Sequence, residues 1–144
     1  MTMSATHRML PSHGSLTPTL PKPEVPPEAI VLTVQDGLPI MYDETTIPIS
    51  AVRVVHPTNP AAPSRNHSVV MLYVPPHAEM VLHSHETEET YVIISGTGTM
   101  LRGSGDVEVR PGHFIFMPAW AEHGIRNTGT EMLTVLLATS PANP

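Results

Sequence analysis

Two imidazoles and three carboxylates fall within seven residues of this chain, His83-Ser84-His85-Glu86-Thr87-Glu88-Glu89, and a third imidazole, His123, follows thirty-four residues after Glu89. In an extended strand alternate side chains share a face and successive residues rise ~3.3 Å, so His83 and His85 are expected side by side on one strand. Neutral imidazoles at that spacing can share a metal ion, and a carboxylate arriving after a short loop adds a hard anionic donor. Three histidines with one carboxylate suit divalent iron, manganese, nickel, copper or zinc. They leave coordination positions open on a metal that prefers six. The chemistry to expect is one divalent ion per chain acting on a small molecule.

Such donors need rigid strands behind them. From residue 29 onward the sequence is a series of short β-branched runs broken by turn residues, with no 3.6-residue period and no internal repeat. The runs predict strands at Ile30–Val34, Ile49–His56, Ser68–Val74, Glu79–His85, Thr90–Ser95, Thr97–Arg102, Val107–Arg110, His113–Met117, Glu122–Asn127 and Met132–Ala138. Arg102-Gly103-Ser104-Gly105-Asp106 reads as a tight hairpin turn, and residues 57–63 as a Pro-rich connector. Strands of this number and length make a sandwich or a barrel. Residues 1–28 hold six of the seventeen prolines and read as an extended arm, disordered or laid across a partner, leaving residues 29–144 as one domain.

The residues around the histidine cluster resemble the two conserved motifs of the cupin superfamily. His83-x-His85-x3-Glu89-x6-Gly96 is similar to the first, with His77 where a leading glycine is usual. Gly112-x5-Pro118-x-Trp120-x2-His123-x3-Asn127 is similar to the second, with Trp120 where a glycine is usual. The fifteen residues between Gly96 and Gly112 resemble the short spacing of compact, single-domain cupins. The resemblance implies an all-β double-stranded β-helix, a jelly-roll barrel. It also selects Glu89 among the three carboxylates, giving His83, His85, Glu89 and His123 as the metal ligands. Glu86 and Glu88 are then loop acids, His77 a surface loop residue and Asn127 a structural turn residue. Trp120 is left as a cap on the barrel mouth or a cover for an apolar edge.

Composition removes other chemistries. The absence of cysteine excludes disulfides, thiolate metal sites and a cysteine nucleophile. A net charge of −6, with seven basic residues scattered singly, offers no footprint for nucleic acid or an anionic membrane. No apolar run approaches ~20 residues and no signal-like core follows Arg8, so the cytoplasm is the expected location. Arg53 and Arg102 are the cations in predicted strands that could grip an anionic substrate, although a strand arginine ordinarily faces outward. Phe114 and Phe116, on one face of their run, are candidates for an apolar wall, with Met71, Met80, Met100, Met117 and Met132 as core or pocket lining.

Tyr91 follows Glu89 by two residues and shares its face. It is a candidate general base or proton shuttle, or a core residue. The resemblance implies three classes of function. The first is a dioxygenase-type oxidoreductase acting on a small, largely apolar or enediol- or diketone-like substrate, with Glu89 exchanging a proton and Tyr91 assisting. The second is a non-redox isomerase, decarboxylase or lyase; some such lyases show a similar His-x-His-x3-Glu-x-Tyr string with the tyrosine as base, and His83 to Tyr91 fits it. The third is a small-ligand-binding cupin without turnover. A homodimer is expected, with the Pro-rich arm as an exchanged element.

Overall fold

Alternation sets which side of each strand turns inward. Ser68–Val74 and Leu133–Ser140 bury every second side chain along their length, the signature of strands packed on one face. The computed structural model describes residues 20–42 and 48–142. Among them the strands are β1 (Leu38–Met41), β2 (Ser50–Val55), β3 (Ser68–Val74), β4 (Glu79–His83) and β5 (Glu88–Ser95), followed by β6 (Gly98–Arg102), β7 (Val107–Val109), β8 (Phe114–Met117), β9 (His123–Asn127) and β10 (Leu133–Ser140). All pairings are antiparallel. They form a six-stranded sheet in the order β1-β2-β3-β10-β5-β8 and a four-stranded sheet in the order β4-β9-β6-β7. This is the expected jelly roll. No helix among the described residues is long and apolar enough to cross a membrane.

The inner faces meet in a core that includes Leu72, Val74, Ile93, Met100, Ile125, Leu133 and Val135, with Met80 and Met117 filling its margins. Register fixes what else points inward. Leu38, Arg53, Val70, Leu137, Tyr91 and Ile115 form one row across the large sheet, and Ser68, Thr139, Glu89 and Met117 form the next. Glu89 and Tyr91 therefore face the interior, as the two-residue period requires. Arg53 does so too, against the ordinary expectation for a strand arginine. Arg102 is exposed, its Nε donating to the Gly105 carbonyl within the expected hairpin turn.

Two sequence expectations change. Residues 30–33 form no strand; Thr33 instead caps a single 3-10 turn at Val34–Asp36, with its side chain accepting from the Gln35 amide while Asp36 accepts from the Thr33 amide. The outermost strand is β1, which carries Pro39; an edge position tolerates the missing N–H. The second change concerns Phe114 and Phe116. They lie on the outer face of β8, 73% and 60% exposed, while Ile115 and Met117 turn inward, so the apolar wall is built without phenylalanine. Of the Pro-rich arm, residues 1–19 lie outside the described residues, and residues 20–28 carry neither helix nor strand.

His77 and Trp120, the two residues standing where the motifs usually have glycine, are the described non-glycine residues with positive φ, at 70° and 68°. Each L side chain there crowds its own backbone by ~1–2 kcal/mol, part of which glycine gives back in chain entropy. His77 is exposed, and its N–H donates to the Asn127 carbonyl, a bond that glycine keeps. His77→Gly is therefore expected to stabilise the fold by about 0.5–1 kcal/mol, read as a higher urea midpoint at unchanged slope. An unchanged or lower midpoint would count against strain at this turn.

Candidate metal centre

His83 and His123 sit directly opposite each other on β4 and β9. Gly124 makes this approach close, because a Cβ there would lie 2.5 Å from the Met80 carbonyl oxygen. Glu89 comes from β5 of the other sheet, so the centre spans the barrel. Strand β4 ends at His83 and not at His85 as the alternation predicts. The His85 carbonyl accepts instead from the Trp120 amide at 2.8 Å, drawing His85 into the connection toward β5. The expected convergence still holds: one ring nitrogen from each of His83, His85 and His123 lies within 4.8 Å of the others. Glu89 stands beside this group, with Oε1 3.3 Å from His85 Nε2 and 3.1 Å from His123 Nε2. Donors bound ~2.1 Å from a shared ion sit ~3.0–3.4 Å apart, so those two separations already suit one.

Every imidazole is oriented from behind. Nδ1 of His83 donates to the Val81 carbonyl at 2.7 Å, Nδ1 of His85 to Thr87 at 2.9 Å, and Nδ1 of His123 to Ala121 at 2.8 Å. A carbonyl can only accept, so each Nδ1 carries its hydrogen and each neutral ring keeps the Nε2 lone pair for a metal. The donor set therefore fits a divalent ion. Neither a hydrogen-bonded core histidine nor a surface cluster requires three such rings aimed at one point.

The sequence profile of the cupin domain matches residues 70–139, which hold all four donors. The chain carries a cupin domain. No curated protein sequence matches it. Solved structures do. A predicted oxalate decarboxylase from Thermotoga maritima superposes with a TM-score of 0.66 at 20% identity, over 78% of this cupin and 99% of the other chain. The polyketide cyclase RemF from Streptomyces resistomycificus gives 0.70 at 17% identity, over 81% and 82%. A cupin sugar phosphate isomerase from Silicibacter pomeroyi gives 0.64 at 16%, over 76% and 74%. At these identities what is shared is the fold.

Inside this cupin the surroundings treat the ligands differently. Burial lowers the pKa of His83, helped by the neighbouring His123 and His85, and keeps that ring neutral. Burial also works against a charged His123, but the hydrogen bonds it donates to Glu89 and to the Ala121 carbonyl override it and the pKa rises. Tyr91 is 1% exposed and stands edge-on to His123, with ring centroids 6.1 Å apart. Burial, then the charge of Glu89, push its phenol well above the ordinary value, so it is a neutral group that packs. Glu86 and Glu88 are exposed; Glu86 lies in the connection as expected, whereas Glu88 is the first residue of β5 and not a loop acid. Trp120 is 62% exposed on the rim.

Sequence reasoning missed Tyr42, which with Arg53 lines a narrow cleft reaching Glu89. Only strand register could have placed these two, and β2 (SAVRVV) gives no clear alternation from which to read it.

A proton shared by Glu89 and His123 must leave before the site can load. Because the folded pKa of His123 is raised, metal affinity is expected to fall with decreasing pH from above the ordinary histidine value of ~6.5. In Glu89→Gln, which removes the charge that raises it, the fall should move to lower pH. Metal titrations followed across pH read both curves, and coincident curves would remove the Glu89–His123 pair as the controlling group.

Proposed function

We propose that this cupin is a metal-dependent enzyme in which His83, His85, Glu89 and His123 hold one divalent ion and the barrel interior receives a small substrate. What carries the proposal is the common orientation of the three rings, each fixed by an Nδ1–carbonyl bond so that Nε2 faces the point that Glu89 also reaches. A divalent ion there supplies Lewis acidity and, if redox-active, one-electron chemistry. The rest falls to side chains. Tyr91 forms a wall beside His123, and the apolar residues behind it exclude water. Glu89 is the only buried carboxylate among the described residues. It holds a proton with His123 and can take one from a substrate oxygen as that oxygen enters.

This inventory favours the dioxygenase-type oxidoreductase acting on an enediol- or diketone-like substrate. Isomerisation needs a dedicated group that carries a proton to and from carbon. Among the described residues no second carboxylate is buried, and the buried phenol of Tyr91 is held neutral. The second reading, a non-redox isomerase, decarboxylase or lyase, draws support from the activities named for the three similar folds: decarboxylase, cyclase and isomerase.

Protein purified without added metal or affinity tag is expected to carry close to one divalent ion per chain, and His85→Ala to lose it. Loaded with iron(II), it should consume oxygen with enediol or 1,3-diketone substrates. Tyr91→Phe should keep turnover within about threefold, well short of the ~100-fold loss of an acid–base catalyst. Turnover without oxygen would move the protein to the second reading, and a ~100-fold loss in Tyr91→Phe would give the phenol its catalytic role. Full metal occupancy with no turnover of any kind would leave a ligand-binding module.

A further inference from the structure

Arg53 occupies an inward row of the large sheet, two strands from the β10–β5 pair, and is half-buried. Its guanidinium makes no hydrogen bond or ion pair with any described residue, whereas every fully buried polar side-chain atom among those residues has a partner. Its N–H groups therefore open on the cleft that it shares with Tyr42, Ser68, Thr139 and Glu89. Ser68 and Thr139 satisfy each other through their hydroxyls. Tyr42 stands between opposite charges, its pKa raised by burial and Glu89 and lowered by Arg53, so its hydroxyl remains a donor. The cleft holds about 30 Å³, room for roughly two waters or one carboxylate head and not for a whole substrate.

We propose that Arg53 and Tyr42 form the carboxylate-binding end of the substrate site, so that the ligand is a small carboxylic acid whose other oxygens lie toward the centre beside Glu89. The proposal rests on the metal-dependent reading above. Arg53 supplies a planar fork of donors matched to a carboxylate, with the Tyr42 hydroxyl as a further donor. The charges agree as well. Arg53 and Glu89 cancel, so a divalent ion leaves the cleft with a net positive charge that a monoanion halves and a dianion neutralises. Without that ion, Glu89 repels the same anion.

The test is a titration of cobalt(II)-loaded protein with pyruvate and with butane-2,3-dione, which has the same shape without the charge. Binding is followed in the visible spectrum and cobalt content is measured on the same samples. The parent is expected to bind pyruvate more tightly than the dione. Arg53→Gln should weaken pyruvate by about 10–100-fold and leave the dione and the cobalt content unchanged; Arg53→Lys should fall between. Equal pyruvate affinity in parent and Arg53→Gln, with cobalt retained, would overturn the carboxylate site alone. Failure of the parent to hold cobalt would overturn the metal centre and this proposal with it.

Discussion

Polar groups taken into an apolar interior must all be partnered there, and the centre of this barrel meets that requirement in layers. The outward nitrogen of each imidazole is satisfied by a carbonyl two residues away in its own segment: Val81 for His83, Thr87 for His85 and Ala121 for His123. Such bonds are local, so each ring is oriented by the stretch of chain that carries it. What remains is a set of inward nitrogens and one carboxylate, which meet one another at a single place. Within the small sheet, Gly124 lets β9 pass close to the β4 backbone, which holds His123 opposite His83. Burial, orientation and reactivity here have one origin.

Much of this was legible in the sequence, for reasons that differ between elements. The spacing of His83, His85, Glu89 and His123 is a property of residue types and intervals, and it survived even though β4 stops before His85. The period-two runs of β3 and β10 gave their buried faces, since every inward residue is apolar until Ser68 and Thr139, and the limits of β3; β10 runs on past the expected Ala138 to Ser140. Arg53 was not legible. Its strand is flanked by valines on both faces, so only pairing with Val70 and Leu38 decides which way the guanidinium points. Phe114 and Phe116 were misplaced for the same reason: the side of a four-residue strand that faces inward is set by its neighbour, here Glu89 and Tyr91 of β5. The departures from the motif glycines at His77 and Trp120 were visible, but their meaning was not, because a positive φ leaves no trace in the residues that adopt it.

The two sheets divide the work unequally. The small one provides His83 and His123, presents an ion-paired outer face to water and is wet on that side. The large one provides Glu89, Tyr91 and Arg53 from its inner face and has no comparable polar exterior. On the proposed reading, selection of the small molecule would fall to the large sheet, and a change on its outer face would reach Glu89, Tyr91 and Arg53 through shared strands and not through any intervening loop.

Trp120 is the only tryptophan of the chain, and its amide bonds to the carbonyl of His85. Its indole lies on the rim, largely in water. Emission from the whole protein under excitation of indole therefore arises from one ring whose backbone is a single hydrogen bond away from a donor at the centre. The chain carries its own optical gauge. Quenching by a paramagnetic ion, or a shift in colour as the rim closes over a ligand, would be read without any label and assigned without ambiguity to the mouth of the barrel.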